Sequence, residues 1–294
     1  MRKIVALLAL VLSALALGAA PAGAITGNYQ EDHIHTYVAL IAFYDEDGEF
    51  THRCSGSLIT DRVVLTAGHC TDASTGAVSA KLWFQQDAGA DFDPVTGEPA
   101  ASGYPETSDV VSHQLYNYGF DNFSGFPNIK DVGLIVLDES ITQTDQADIV
   151  GTNFASIAKV GSLDRLATRR GRQEITFTAS GYGLTLSNPV KTISFRSRLM
   201  ATEKLVNLRS HLTSGFNIQT SANPGNGRGG TCGGDSGGPL LYDATNTIVA
   251  VNSFGQNEWC RGVDFMYRVD TQAVQDWIRA TIGSEWSEVK ILDL

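Results

Sequence analysis

From Tyr37 to Val269 the chain is cut into short apolar stretches separated by Gly, Asn, Asp and Pro, and this punctuation restricts it to a β architecture. The pattern predicts strands over Tyr37–Tyr44, Ser57–Ile59, Arg62–Thr66, Lys81–Gln85, Val132–Leu137 and Glu174–Ala179. It predicts further strands over Thr192–Met200, Phe216–Thr220, Pro239–Tyr242, Ile248–Ser253 and Met266–Val269. Many short strands with turn residues between them belong to a barrel or sandwich. Helical spacing is confined to Thr271–Thr281, where Ala273, Val274, Trp277 and Ile278 fall on one face. One stretch breaks the rhythm. Gln86–Asn128, rich in Gly, Pro, Asp and aromatics, reads as a long surface excursion with a strand near Asp109–His113.

The chain begins with Arg2 and Lys3, an apolar run from Ile4 to Leu17, and small residues ending Ala22-Gly23-Ala24. That is the order of a secretory signal peptide, with cleavage expected after Ala24, and the apolar core is short for a bilayer span. Removing residues 1–24 takes the formal net charge from -11 to -13. So acidic a surface, without a basic patch, argues against a nucleic-acid partner, and no later segment is apolar enough for a membrane anchor. Cys54, Cys70, Cys232 and Cys260 make an even count in an exported chain. They read as two disulfides with three possible pairings, since their spacing lacks a C-x-x-C or His/Cys cluster for zinc. The other histidines, His33, His35, His52, His113 and His211, also lack ligand spacing, so neither metal nor cofactor is expected.

The densest chemical signal is Gly229-Gly230-Thr231-Cys232-Gly233-Gly234-Asp235-Ser236-Gly237-Gly238-Pro239. An ordinary turn needs one or two glycines, whereas here paired glycines bracket a serine on both sides, which lets a substrate approach the backbone closely. A serine hydroxyl becomes a useful nucleophile when an imidazole takes its proton, and the imidazole must be oriented by a third group. Two other segments offer those groups. Leu65-Thr66-Ala67-Gly68-His69-Cys70 supplies a histidine, and Asp131-Val132-Gly133-Leu134-Ile135-Val136-Leu137 an aspartate.

Together these segments resemble the chymotrypsin/trypsin family of serine peptidases: G-D-S-G-G-P around the nucleophile, a T-A-A-H-C box with Gly68 for the second alanine, and a D-I-A-L-L strand start. They also come in the family's order. The resemblance covers about Ile25 to Ile278 and implies two packed six-stranded antiparallel β-barrels with a C-terminal helix. The implied division is a signal peptide at 1–24 and a peptidase domain at 25–294. Its N-terminal barrel spans about 25–145, its C-terminal barrel about 165–270 and its helix about 271–281. It further implies a secreted, extracellular serine endopeptidase with His69, Asp131 and Ser236 as triad and the N–H groups of Gly234 and Ser236 as oxyanion hole. Disulfides Cys54–Cys70 and Cys232–Cys260 follow from the same likeness. Ser253-Phe254-Gly255 resembles the family's S-W-G segment, which pairs with substrate backbone, and Ser180-Gly181-Tyr182-Gly183 its structural S-G-W-G stretch. Gly230 and Thr231 fall in the specificity pocket. The implied partners are polypeptide substrates and proteinaceous inhibitors, and the implied state is a monomer.

In typical members a new N-terminal amine pairs with the aspartate before the nucleophile. Here those residues are Ile25, in a loose I-V-G-G start, and Asp235, so signal cleavage itself is expected to create the activating terminus. Specificity stays open: Gly230 gives an uncharged pocket floor suited to apolar side chains, while an inward Asp264 would favour basic ones and an outward Asp264 would leave the floor neutral. Two rivals stand beside the peptidase reading. One is a catalytically inactive binding protein on the same scaffold. The other is an esterase with a G-x-S-x-G elbow, which Gly234–Gly238 matches formally but the His-Asp-Ser order does not.

Overall fold

Val38–Tyr44 (β1) runs through the centre of the first sheet with six of its seven residues fully buried, because both its edges are paired and both its faces are covered. In the computed structural model, which describes residues 25–90, 92–97, 108–166, 174–224 and 227–294, β1 pairs antiparallel with Phe50–Leu58 (β2) and Ser79–Trp83 (β4). The leader read at residues 1–24 lies outside the described residues. Val63–Thr66 (β3) follows β2, and Val111–Ser112 (β5), Gln114–Asn117 (β6) and Gly133–Val136 (β7) give the order β5-β4-β1-β2-β3-β7-β6. Only His113 separates β5 from β6, so one bent stretch touches both edges of the sheet and nearly closes it into a barrel.

The second barrel closes fully. Its strands are Thr176–Gly181 (β8), Leu199–Asn207 (β9), Asn217–Ser221 (β10), Pro239–Tyr242 (β11), Thr247–Gly255 (β12) and Val263–Arg268 (β13). They run β11-β8-β9-β10-β13-β12, and β12 pairs back onto β11. The fold is thus two β-barrels, each built on six strand positions, followed by the helix Gln272–Ile282 (α1). Thr271 caps α1 by accepting the Val274 N–H, and Val274, Ile278 and Ile282 pack into the core of the first barrel. Each such buried aliphatic side chain contributes roughly 1.5–3 kcal/mol.

Two sequence expectations shift in register. The strand expected at Thr192–Met200 splits into a two-residue bridge, Thr192–Ile193, and the longer β9, because Arg196 and Arg198 turn inward between them. Ser57–Leu58 proves to be the end of β2, whose earlier Thr51-His52-Arg53 is polar, with Arg53 reaching across to Tyr182 and Ser194 of the second barrel.

That interface is polar at its centre. Arg198 is 2% exposed and donates to the carbonyls of Asp32, Val38 and Phe84 and to the Tyr182 hydroxyl. Tyr182 Oη in turn donates to Gln85 O at 2.8 Å. A buried guanidinium is tolerable when its donors meet such acceptors. The contact sets the edge along which the candidate site lies.

Candidate active site

His69 sits in the short turn Gly68–Cys70 that follows β3, and Asp131 sits just before β7, the neighbour of β3. Strand pairing therefore brings the two together. Asp131 is wholly buried; its Oδ1 accepts the His69 backbone N–H at 2.7 Å, and Oδ2 lies 2.9 Å from His69 Nδ1. A carboxylate can only accept, so Nδ1 carries the proton and Nε2 is left as the basic nitrogen. Ser253 Oγ donates to Asp131 Oδ2 at 2.5 Å from β12 of the other barrel. Burial works against a charged imidazole, yet the field and hydrogen bond of Asp131 more than offset it, so the His69 pKa is raised above its ordinary value.

Two covalent ties hold these loops. Cys54 on β2 is bonded to Cys70 beside His69, and Cys232 is bonded to Cys260. The Cys54–Cys70 bridge also adjoins the serine loop, since Cys70 Sγ lies 3.8 Å from Ser236 O. Ser236 O accepts Ser55 N–H at 2.8 Å, which pins the loop to the first barrel. No hydrogen bond joins His69 to Ser236 among the described residues. Gly237 has φ +77°, and a Cβ there would fall 2.0 Å from Thr66 Oγ1, so the residue after the serine must be glycine. Neither the Gly234 nor the Ser236 N–H has an acceptor among the described residues. Both are free to donate to a bound group.

Asp235 is buried, its Oδ1 accepting Gly183 N–H at 2.7 Å and its Oδ2 accepting Cys232 N–H at 2.9 Å. Burial pushes its pKa up to about 7, opposed by those two N–H groups and by the charge of Arg53. Ile25 is also fully buried, within the core of the second barrel, and Thr26 pairs with Gly230. In the chain carrying residues 1–24 the Ile25 nitrogen is a peptide nitrogen, and the partners of the Asp235 carboxylate among the described residues are the N–H groups of Gly183 and Cys232.

A pocket of about 270 Å³ opens beside Ser236, with Thr231, Cys232, Ser253, Phe254 and Gly255 in its walls. Neither Gly230 nor Asp264 is among the residues that line it; Asp264 is turned inward rather than to the surface, at 1% exposure, behind Thr231. Asp264 Oδ2 accepts the N–H and hydroxyl of Thr231 at 2.7 and 2.9 Å, while Oδ1 has no partner. A Cβ at Gly230 would come within 2.9 Å of Asp264 Oδ2, so the bare glycine makes room for the carboxylate. Burial raises the Asp264 pKa to about 6 against the Thr231 hydrogen bonds. Behind it, Glu203 is buried with Oε2 accepting the Thr220 hydroxyl and Oε1 unpartnered. Burial first, then the charge of Asp264, pushes Glu203 well above the carboxylate range.

Two aromatic neighbours of the site, Phe120 and Phe123, were not singled out in the sequence. The Phe120 ring lies 5.8 Å from the His69 imidazole, Phe123 meets both Phe120 and Phe254 edge-on, and Phe254 stacks on Phe265 at 4.7 Å. Their signal was the aromatic spacing inside Gln86–Asn128, a segment read only as an excursion. Asn217 Nδ2 donates to Pro127 O at 2.7 Å and Tyr267 Oη to Asn128 Oδ1 at 2.6 Å, so this part of the excursion is tied to the second barrel. The one His/Cys/Asp/Glu group close enough for a metal, among the described residues, is Cys54, His69 and Cys70. Its two sulfurs are already bonded to each other, leaving no thiolate to ligate.

Comparison with known proteins places this geometry in context. The family model described as Trypsin matches residues 25–278. CLIP domain-containing serine protease B10 of Anopheles gambiae is 28% identical over 275 residues, covering 88% of this chain and 69% of that protein. Among solved structures, HL collagenase aligns with a TM-score of 0.60 at 20% identity, covering 88% of this chain and 98% of that one. The scabies mite inactivated protease paralogue S-D1 aligns with a TM-score of 0.58 at 15% identity, covering 90% and 99%.

Proposed function

The chain belongs to the trypsin family of serine proteases, and on that premise we propose that it is a secreted serine endopeptidase that hydrolyses internal peptide bonds through an acyl-enzyme. Ser236 Oγ attacks the peptide carbonyl while His69 Nε2 takes its proton, and His69 then returns that proton to the departing amine. Asp131 holds the imidazole in the required tautomer and balances its transient charge. The N–H groups of Gly234 and Ser236 receive the carbonyl oxygen as it becomes negative; losing one such donor costs about 3 kcal/mol of barrier. The observation that carries the reading is the buried Asp131 carboxylate, which takes two donors from His69 and one from Ser253 and so leaves the imidazole one basic face.

The same proposal extends to processing and specificity. Cleavage after Ala24 would free the Ile25 amine, and Asp235, whose charge burial disfavours, is the carboxylate it would neutralise. The two disulfides suit the oxidising surroundings of an exported protein. Asp264, inward and with one oxygen unpartnered, favours a basic side chain in the pocket over the apolar one that Gly230 alone suggests.

A silent scaffold is the alternative, favoured by the missing His69–Ser236 hydrogen bond and illustrated by the inactivated mite paralogue of the same fold. Intact mass after exposure of the secreted protein to a small phosphonylating reagent separates the two, with Ser236→Ala as control. A single adduct that the control lacks supports the peptidase. No adduct on a chain beginning at Ile25 supports the binding protein, and activity from a chain beginning elsewhere removes the Ile25 amine from the account.

A further inference from the structure

Arg53 and Ser55 stand two apart on β2 and so project from one face of the strand. Both reach across the barrel interface. Ser55 Oγ accepts Tyr182 N–H at 3.0 Å and donates to Gly234 O at 2.9 Å. The Arg53 guanidinium donates from Nη1 to Tyr182 O at 2.7 Å and from Nη2 to Ser194 Oγ at 2.8 Å. Tyr182 is therefore gripped at both its N–H and its C=O.

The grip is passed along peptide groups. Tyr182 O and Gly183 N–H belong to the same peptide unit, and with its oxygen on Arg53 that unit points its N–H at Asp235 Oδ1, 2.7 Å away. One residue on, Leu184 N–H donates to Gly233 O at 2.8 Å. Gly233 O and Gly234 N–H again share one planar peptide, so fixing the oxygen fixes the opposite direction of the N–H. Gly234 itself is hemmed in, since a Cβ on it would lie 3.0 Å from both Arg53 Nη1 and Gly183 Cα.

We propose that Arg53 and Ser55 are positioning residues for the oxyanion donor: by holding Tyr182 they fix the Tyr182–Leu184 segment, and that segment fixes the Gly233–Gly234 peptide with its N–H free for the substrate oxygen. This rests on the reading of Gly234 N–H as an oxyanion donor. The positive charge of Arg53 also favours the ionised Asp235, against burial and against the charge of Asp264 on β13. The first barrel thus braces the loop independently of any amine delivered at Ile25.

The test uses the secreted protein and its Arg53→Gln, Arg53→Lys and Ser55→Ala variants. Phosphonate titration counts functional sites, and kcat per titrated site, KM for a peptide amide and inhibition by a peptide aldehyde are then measured. The aldehyde adduct places its oxygen where the oxyanion forms, so its affinity reports that position directly. Arg53→Gln and Ser55→Ala are expected to lower kcat per site about tenfold, the loss of one or two buried hydrogen bonds, with aldehyde affinity falling in parallel and KM nearly unchanged. Arg53→Lys, which keeps the charge and can reach Tyr182 O, recovers most of the loss. Unchanged kcat per site overturns the proposal, as does a loss confined to the number of titratable sites or to melting temperature. Should Arg53→Gln fail to fold, Ser55→Ala and Arg53→Lys carry the same comparison. A wild-type chain that takes no phosphonate ends the peptidase reading itself, before any variant is compared.

Discussion

Phe120 fills the space beside His69 that a methyl group on residue 68 would need: a Cβ at Gly68 would fall 3.1 Å from Phe120 Cβ and 3.0 Å from Val132 N. Gly68 and Phe120 come from distant parts of the chain, yet each explains the other. The departure from T-A-A-H-C at Gly68 is thereby a packing consequence of two neighbours, the Val132 backbone and Phe120, which the excursion delivers against the imidazole.

Gly68→Ala is therefore expected to cost about 1–2 kcal/mol of stability, in the range of small overpacking changes, and to lower activity by displacing His69. Part of that loss should return in Gly68→Ala/Phe120→Gly, because glycine lacks the Cβ that the new methyl group would crowd, leaving the Val132 backbone as the remaining close contact. Urea unfolding of the four proteins in this cycle measures the coupling. Equal costs of Gly68→Ala with and without the Phe120 side chain, Cβ included, would dismiss Phe120 as the reason.

The pH dependence of kcat/KM should report His69. General-base action needs the neutral imidazole, and Asp131 raises the His69 pKa, so activity falls on acidification with a midpoint above the usual histidine value of about 6.5. Asp131→Asn removes the field and leaves the wrong tautomer, moving the midpoint down and lowering the rate on the order of 10⁴-fold. A midpoint that stays put in Asp131→Asn would show that the limb belongs to another group, of which Asp235 is the first candidate.

Much of this arrangement was legible because it is written in local pattern. Short apolar runs placed most strands within a residue or two, and helical spacing placed α1 at its observed position. The glycine run was readable because its close packing excludes side chains, as Gly237 against Thr66 illustrates. What was not legible depends on long-range register. Whether Asp264 faces in or out changes with a one-residue slip, and β12 carries a bulge between Asn252 and Phe254 against this very strand. Arg53 and Ser55 were hidden for a related reason: a polar half-strand looks like a loop until the second barrel that satisfies its donors is in place.

Asp32 anchors the segment entering the first barrel and gives a stability prediction. Its carboxylate accepts the N–H groups of Ile34 and His35, His35 Nδ1–H at 2.8 Å and Ser180 Oγ–H at 2.6 Å. Burial alone would raise its pKa, but the hydrogen bond and charge of His35, with Ser180, overcome this and hold it well below the carboxylate range. A pKa depressed on folding contributes stability above the unfolded value of about 3.9, and that stability is lost as pH falls towards the folded value. Asp32→Ala should cost about 3 kcal/mol at neutral pH, and the gap to wild type should narrow only in strong acid. Denaturant midpoints across that range measure it. A gap already closed at mildly acidic pH would mean that the carboxylate is not held in its charged form.

Asp264 offers the sharpest test of specificity, because its charge lies within reach of ordinary buffers. Its pKa is raised to about 6 by burial, so it is charged in neutral solution and loses that charge on acidification. A cationic substrate side chain gains from the carboxylate only while it is ionised. The ratio of kcat/KM for an arginine substrate to that for a phenylalanine substrate should thus be flat at alkaline pH and fall as pH drops through about 6. Taking the ratio cancels the His69 limb, which both substrates share. Asp264→Asn should lower the ratio by roughly 10- to 100-fold, the worth of one charge-assisted hydrogen bond, and flatten its pH dependence. An arginine preference unchanged in Asp264→Asn would place the recognition of cationic side chains elsewhere, whereas a phenylalanine preference at every pH would show that the bare Gly230 floor, and not the carboxylate beneath it, sets the choice.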